Sequence, residues 1–305
     1  MPRLLITGSS GFVGTALRHY LADTPWGERV IPCEPADAFD ITRPDEVDAL
    51  VASTRPDWVL HLAAQSHVQT SFGDPAGTFE VNLIGTLNLL QALSRAGFAG
   101  RLLYVSSADI YGQVDEADLP IVETQASVPR SPYAVSKAAT EMLCWQWRLT
   151  YGIDIVIARP FNHAGAGQSP DFALSGFAQS IAAIALGRQE PRILTGDLDV
   201  TRDFTDVRDI MEAYLALLER GRAGEAYNVC SGREFRLADL LQDMLDRAGV
   251  RAEVSIEPSR MRPVDQRRVY GNHGKLTAHT GWQPRIPIGD TLDGLIRYWK
   301  KEWQS

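Results

Sequence analysis

Cysteine is scarce in this sequence of 305 residues, and its three copies lie far apart. Cys33, Cys144 and Cys230 offer no pair with the spacing of metal ligands, so the sequence predicts free thiols and no metal site. Free thiols are typical of proteins kept in a reducing cytoplasm, which is the location we expect. The scarcity of cysteine also argues against a disulfide-rich secreted scaffold.

Positive charge is in short supply as well. The chain has 30 Lys and Arg against 38 Asp and Glu, a net charge of −8 and a pI of about 5.3. A nucleic-acid-binding domain is normally basic, so we expect no nucleic-acid partner. A small anionic ligand is not excluded, because a few arginines can set the field in one cleft.

Long apolar runs are missing too. The longest stretch without a charged residue, Phe172 to Gly187, contains Ser175 and Gln179 and is shorter than the roughly 20 apolar residues that cross a membrane. Met1 to Thr7 enters a strand pattern directly and leaves no room for a signal peptide. We therefore expect a buried helix at this stretch and no membrane association.

What the chain does contain is a regular alternation of short apolar runs with helical patterns. The predicted strands are Arg3–Thr7, Arg29–Cys33, Trp58–Leu62, Arg101–Ser106 and Asp154–Ala158. The predicted helices are Gly14–Leu21, Pro44–Ser53, Ala76–Ala96 and Pro132–Tyr151. Nearly continuous apolar strands alternating with helices predict an α/β fold with a Rossmann-type, doubly wound parallel sheet.

The alternation of strand and helix patterns changes after Pro160, which predicts two regions. Residues 1–161 are expected to form the sheet domain, and residues 162–305 a smaller C-terminal lobe at the carboxyl edge of the sheet. Helix Val207–Arg220 and strand Ala226–Val229, within 203–232, are predicted to return to the main sheet.

A glycine-rich turn follows the first strand and opens a helix. Glycines there allow a tight turn and let backbone N–H groups approach a pyrophosphate, so the turn predicts a dinucleotide site. The residues we assign to it are Gly8, Gly11, Phe12, Val13 and Gly14. Glu34, near the end of the second strand, suits the 2′-hydroxyl of NAD, but the prolines beside it leave the choice between NADH and NADPH open.

Tyr133 and Lys137 lie four residues apart near the start of a predicted helix. Ser131 and Pro132 supply an N-cap and a first-turn proline, and residues four apart share one helix face. A free tyrosine, with a pKa of about 10, is a poor acid or base at neutral pH, and we expect the lysine to lower that pKa. Such a pair also arises by chance on a solvated helix face, so it needs a third member to be specific.

Ser107 supplies that member at the carboxyl end of the fourth strand, where such sheets bind ligands. Its hydroxyl can hydrogen-bond a carbonyl oxygen and stabilise the charge that develops there. The glycine-rich turn, Ser107, Tyr133 and Lys137 together predict a catalytic site.

The whole chain resembles the extended short-chain dehydrogenase/reductase family, whose members act on nucleotide-sugars. The resemblance implies that Asp40, Ile41, Leu62, Ala63 and Ala64 contact the cofactor together with Tyr133 and Lys137. The matching stretches are His61-Leu62-Ala63-Ala64, Val81-Asn82-Leu83-Ile84-Gly85-Thr86, Arg202-Asp203-Phe204-Thr205-Asp206-Val207-Arg208-Asp209 and Gly281-Trp282-Gln283-Pro284.

Other stretches are similar to the GDP-mannose branch of this family, around Gln65 to Val68, Arg159 to His163 and Arg262 to Asp265. This similarity implies that arginines clamp the diphosphate and that carboxylate, amide and hydroxyl groups contact the rest of the substrate. The substrate residues so implied are Ser66, Ser107, Asp109, Asn162, Arg202, Arg262 and Asp265.

Two activities share that branch. The dehydratases eliminate water with a glutamate where this chain has the shorter Asp109, and they carry an arginine- and serine-rich loop that this chain lacks. The reductases match better, which implies reduction of GDP-4-dehydro-6-deoxy-D-mannose at its 4-keto group to GDP-D-rhamnose by NADPH or NADH. A dehydratase, another nucleotide-sugar epimerase, and a non-catalytic protein that senses the cofactor remain alternatives. The resemblance also implies a homodimer through helices Ala76–Ala96 and Pro132–Tyr151.

Overall fold

The structure is a computed structural model that describes residues 1–33, 39–258 and 266–304. Among these residues the central sheet has six strands, all parallel, in the spatial order β10-β5-β4-β3-β1-β2. They are β1 (Arg3–Thr7), β2 (Ile31–Cys33), β3 (Trp58–His61), β4 (Arg101–Val105), β5 (Asp154–Pro160) and β10 (Ala226–Val229). The Rossmann-type, doubly wound fold is confirmed.

Helices cover both faces of this sheet, because successive strand residues are apolar on both sides. Leu4 packs on one face against α1 and α8, and Leu5 packs on the other against α2, α5 and α6. The helices that cover the sheet are α1 (Phe12–Asp23), α2 (Pro44–Thr54), α5 (Gly85–Arg95), α6 (Pro132–Tyr151), α8 (Val207–Arg220) and α10 (Gly274–Thr280).

The strand order reverses at β1, which has β2 on one side and β3 on the other. Chain connections leave the carboxyl ends of β1 and β3 in opposite directions and open a crevice there, which is where doubly wound sheets bind ligands. The glycine-rich turn follows β1, and Leu62 to Ala64 follow β3. Both predicted cofactor segments therefore lie at the crevice.

A third apolar cluster lies away from the central sheet. It joins α7, α9 and α11 through residues such as Phe177, Leu241 and Leu295. Three small sheets accompany it, in the orders β11-β8-β13, β12-β7 and β6-β9. The remaining elements are α3 (Val68–Gly73), α4 (Pro75–Phe79), β6 (Asn162–Ala164), α7 (Ala173–Ala185), β7 (Arg192–Thr195), β8 (Thr201–Arg202), β9 (Phe204–Asp206), β11 (Phe235–Arg236), α9 (Leu237–Ala248), β12 (Glu253–Ile256), β13 (Arg268–Val269) and α11 (Ile288–Glu302).

Most element predictions are confirmed, and the return of Ala226–Val229 to the main sheet is one of them, because it pairs with β5. The helix predicted over Ala76–Ala96 is present, but it is not a single α-helix, because a π-helix over Glu80–Ile84 separates α4 from α5. The wider turn inserts Asn82 into a polar network, which apolar periodicity does not reveal. The division into two regions at residue 161 stays a prediction.

All three cysteines carry free thiols. Within the described ranges, no helix is long and apolar enough to cross a membrane. The same ranges contain no cluster of three or more potential metal-ligating side chains.

Candidate active site

The glycine-rich turn leaves no room for a side chain at Gly8 or at Gly14. Gly8 has a φ of 74°, and a Cβ atom on it would lie 2.7 Å from the backbone nitrogen of Ala63. A Cβ atom on Gly14 would lie 2.6 Å from the carbonyl oxygen of Gly8. The turn therefore packs directly on the segment that follows β3, as the spacing of glycines predicts.

Helix α1 begins at this turn with an open N-terminus. Gly11 is its N-cap and contributes no side-chain hydrogen bond, so the first N–H groups are not satisfied by a cap. These groups and the helix dipole make a favourable place for an anion such as a diphosphate. The ring of Phe12 lies parallel to that of His163, with centroids 6.1 Å apart, and so connects the turn to β6.

The predicted adenosine contacts lie where α2 approaches α5. The Asp40 carboxylate is exposed and accepts hydrogen bonds from the backbone nitrogen and hydroxyl of Thr42, which lower its pKa. Ile41 is buried against Gly85, and its carbonyl accepts a hydrogen bond from Asn88 at 3.1 Å. Glu34, on which the cofactor preference depends, lies outside the described residues.

Ser107, Tyr133 and Lys137 meet at the carboxyl end of β4. Helix α6 begins at Pro132, with Ser131 capping the nitrogen of Ala134, and this start directs Tyr133 and Lys137 to one face. The Lys137 ammonium donates to the carbonyl of Val105 at 2.8 Å and lies 5.9 Å from the Tyr133 ring centroid. The fold therefore brings together Ser107, Tyr133 and Lys137, the three residues predicted from their motifs.

Ser107 lies two residues beyond β4 and caps a short 3₁₀ turn over Ala108–Tyr111. Its oxygen accepts a hydrogen bond from the backbone nitrogen of Asp109 at 3.1 Å, and its side chain opposes the rise in the pKa of Tyr133. The bond from Asp109 uses one of the two lone pairs of the oxygen and leaves the Ser107 proton available to the phenol oxygen or to a ligand. The serine is oriented as a donor.

The charge states of this site differ from the sequence-based expectation. Burial, reinforced by the carboxylate of Asp109, raises the pKa of Tyr133, and only the hydrogen bond with Ser107 opposes the rise. The net shift is therefore upward, not the lowering expected from Lys137, and Lys137 is not among the groups that cause it. Burial also lowers the pKa of Lys137 from 10.5 to about 8. The site pairs a neutral phenol with an easily deprotonated ammonium.

A polar network behind the site was not predicted. Asn82 accepts a hydrogen bond from the nitrogen of Gln65 at 2.8 Å and donates to Ser136 of α6 at 2.9 Å. It therefore ties the segment that carries Ser66 to the helix that carries Tyr133. Although Asn82 belongs to a stretch that resembles the family, nothing in its spacing signals this contact.

His61 is a second hydrogen-bonding residue of this network that the sequence analysis did not predict. The Thr7 hydroxyl accepts from the nitrogen of Ala63 and therefore donates to Nδ1 of His61, at 2.6 Å. Nε2 then donates to the hydroxyl of Thr86 at 2.9 Å, which donates to the carbonyl of Asn82. Burial, helped by Lys137, lowers the pKa of His61 to about 3, so this connection between β1 and the π-helix is uncharged.

The predicted substrate residues that the structure describes lie on several different elements. Ser66, Asp109 and Asn162 are exposed. Arg202 is partly exposed, and one of its nitrogens donates to the carbonyls of Thr201 and Gln266 at 2.7 and 2.8 Å. Arg262 and Asp265 lie outside the described residues.

Three carboxylates beside Arg202 support the fold rather than face solvent. Asp203 is fully buried and accepts hydrogen bonds from the backbone nitrogens of Ser231, Gly232 and Gly271 at 2.8 to 3.2 Å. Asp206 caps α8, and Asp209 accepts from two backbone nitrogens of the segment before α11. Residues 203–209 therefore anchor Arg202 to the segment just after β10 and to the segment before α11.

Comparison with known proteins identifies the family. The sequence profile described as GDP-mannose 4,6 dehydratase matches residues 36–294. GDP-6-deoxy-D-mannose reductase of Pseudomonas aeruginosa is 48% identical over 98% of this chain and 97% of that protein.

Solved structures agree with this match. The structure of RMD from Pseudomonas aeruginosa complexed with NADPH has a TM-score of 0.94 and 46% identity, covering 99% of this chain and 100% of that one. UDP-glucose 4-epimerase from Thermus thermophilus, in complex with NAD, has a TM-score of 0.85 and 28% identity over 98% of this chain and 99% of that one. The chain belongs to the GDP-mannose 4,6-dehydratase family of extended short-chain dehydrogenases/reductases.

Proposed function

We propose that the protein reduces the 4-keto group of GDP-4-dehydro-6-deoxy-D-mannose to give GDP-D-rhamnose, with NADPH or NADH as the reductant. The observation that carries the proposal is the protonated, buried Tyr133 phenol beside Ser107, in a chain similar over nearly its whole length to the Pseudomonas aeruginosa reductase. A neutral phenol is the proton donor that reduction of a ketone requires.

The nicotinamide cofactor fits the crevice because the turn after β1 excludes side chains and presents an open helix N-terminus. When bound, the cofactor supplies the hydride that reduces C4. The residues that we expect to hold it are Gly8, Gly11, Phe12, Val13, Gly14, Asp40, Ile41, Leu62, Ala63, Ala64, Tyr133 and Lys137.

Proton transfer is assigned to the triad. Tyr133 donates its proton to the alkoxide that forms at C4, while the Ser107 hydroxyl hydrogen-bonds the same oxygen. The Lys137 ammonium stabilises the phenolate left behind. The raised pKa of Tyr133 keeps the proton on the phenol until a stronger base, the alkoxide, is present.

The substrate is assigned to the exposed rim of the crevice. Arg202 supplies positive charge for the diphosphate, and Ser66, Asp109 and Asn162 offer hydrogen-bonding groups to the sugar. Arg262 and Asp265 are assigned to the same substrate from the family resemblance.

Elimination of water is the second candidate function, favoured by the matching family's description and by the Asp109 carboxylate near Tyr133. Asp109 is one methylene shorter than the glutamate of the dehydratases. We therefore propose reduction as the main activity.

We also propose that the protein works as a homodimer in the cytoplasm. An apolar stripe on α6, formed by Val135, Met142 and Leu149, is exposed at every seventh residue. Seven residues return to the same helix face, so the α6 stripe offers a continuous surface to the same stripe of a second copy. The three free thiols support a reducing compartment.

The direct test gives purified protein the keto sugar with NADPH or NADH and follows the reduced-nicotinamide absorbance. We expect absorbance to fall and NMR to identify GDP-D-rhamnose as the product. No fall with either cofactor overturns the reductase proposal. A parallel reaction with GDP-mannose and NADP⁺ tests elimination, because accumulation of the keto sugar would favour a dehydratase.

Replacing Tyr133 tests the proton donor. Tyr133→Phe should lower turnover by roughly 10²–10⁴-fold, because the ring stays and only the acid is lost. NADPH affinity, measured by fluorescence titration, should stay nearly unchanged. Tyr151→Phe, which alters an exposed tyrosine at the end of the same helix, is the matched control and should keep the wild-type rate. An unchanged rate in Tyr133→Phe would refute the assignment.

A further inference from the structure

Arg159 is a buried cation near the end of β5, and its main partner lies on the helix of Tyr133 and Lys137. Its guanidinium binds the Glu141 carboxylate through two nitrogens, at 2.6 Å from Nη2 to Oε2 and 3.0 Å from Nε to Oε1. Both side chains are at least nine-tenths buried. Glu141 is one helical turn beyond Lys137 on α6. The Arg159–Glu141 ion pair therefore connects β5 to α6 directly behind the site.

The same guanidinium also binds the turn that carries Ser107. Its Nη1 donates to the Tyr111 hydroxyl at 3.0 Å, and that hydroxyl donates to Asn228 of β10 at 2.6 Å. Tyr111 is the last residue of the 3₁₀ turn that Ser107 caps. Nη1 also donates to the carbonyl of Glu123 at 3.0 Å.

We propose that Arg159 is a positioning residue, which holds α6 and the Ser107 turn at a fixed separation and so sets where Ser107 lies relative to Tyr133. A planar guanidinium suits this task, because its N–H groups point in fixed directions and can bind two different elements at once. Replacing a buried ion pair with well-packed apolar residues is often neutral or stabilising, so the pair is better explained by the geometry it imposes than by stability. The expected effect on turnover rests on the proposed function.

The sharpest variant is Tyr111→Phe, which removes a single oxygen and leaves Arg159 paired with Glu141. Its matched control is Tyr227→Phe on β10. The Tyr227 hydroxyl also accepts one hydrogen bond, from the nitrogen of Arg222, and donates one, to His279, but it does not contact Arg159. Both variants should lower the melting temperature, since each removes one buried hydroxyl with two partners.

Only Tyr111→Phe should slow the reaction. We expect kcat to fall about 10- to 100-fold with little change in KM, because small misplacements of reacting groups have effects of this size. Equal kcat values in the two variants, or a change confined to KM, would overturn the positioning role.

A second measurement does not depend on the substrate. In protein labelled at tyrosine ¹³Cζ, the Tyr133 resonance reports the surroundings of its hydroxyl, Ser107 among them, and is assigned with Tyr133→Phe. We expect it to move in Tyr111→Phe and in Glu141→Gln, but not in Tyr227→Phe. A resonance that stays in place in the first two overturns the proposal. If it moves while the wild-type protein fails to reduce the keto sugar, the proposed function fails and the positioning role stands.

Discussion

Lys137 carries its charge in surroundings that penalise charge. It lies against the rings of Tyr104 and Tyr133 and donates to one backbone carbonyl, and burial lowers its pKa to about 8. Cys144 and Glu141 oppose this shift without cancelling it. A role that needs the ammonium is therefore sensitive to pH just above neutrality.

We expect kcat to be full only well below pH 8 and to fall as the pH rises through about 8, because the ammonium is lost there while Tyr133, with its raised pKa, stays protonated. Initial rates at saturating substrate across this range test the prediction. The residual rate of Lys137→Met should not vary with pH, whereas Lys301→Met, at an exposed lysine of α11, should keep the wild-type profile. A wild-type kcat that stays constant to pH 10 would contradict the prediction.

The sequence was sufficient to bring Ser107, Tyr133 and Lys137 together, because their motifs follow the order of strands and helices in a doubly wound sheet. It was not sufficient for the pKa of Tyr133. That pKa depends on how deeply the phenol is buried, and spacing along a helix contains no information on depth. The same limit explains why His61 and Asn82 were missed as hydrogen-bonding residues. The functional roles of the triad remain predictions.

Among the elements, the junction of β1 and α1 has little tolerance for added atoms. A Cβ atom at Gly14 would lie 2.6 Å from both the Gly8 carbonyl oxygen and the Ser9 Cα. The contacts are with backbone, which cannot rotate away as a long side chain can. One methyl group therefore has to displace the turn itself.

Gly14→Ala should lower the free energy of unfolding by about 1–3 kcal/mol through overpacking, and it should weaken NADPH binding by displacing the cradle. Gly294→Ala is the matched control, because that glycine lies within α11 and an added Cβ meets open space. It should stabilise the protein by about 0.5–1 kcal/mol. Urea unfolding and fluorescence titration measure the two effects. If the two variants have equal free energies of unfolding and equal NADPH affinities, the turn accommodates a methyl group and the prediction is wrong.

Element boundaries were predictable wherever the chain carries its own stop and start signals. Helix α6 begins after Ser131 and ends before Gly152, and α8 begins after Asp206, so both match the predicted limits. The π-helix was not predictable, because no cap or proline marks it and its apolar spacing is that of an ordinary helix. Tertiary hydrogen bonds to Asn82 accompany the wider turn.

At the scale of the whole molecule, the proposed dimer is the feature most open to test. Leu149→Glu places a charge in the α6 stripe, where leucine is 78% exposed in the single chain. Burying that charge against a second apolar stripe is unfavourable, so we expect a monomer in analytical ultracentrifugation. Ile256→Glu, at a residue of β12 that is 61% exposed, is the matched control and should remain dimeric. A monomeric wild-type protein would overturn the proposal.

The place of β10 in the sheet has a consequence for the order in which the chain is made. During synthesis, β5 emerges with one edge unpaired, and it stays so until residues 226–229 follow. An open edge of a parallel sheet is a template for pairing with another chain. A nascent or truncated chain that ends near residue 161 therefore exposes an unpaired edge of β5, the strand that carries Arg159, and is prone to aggregate until β10 pairs with it.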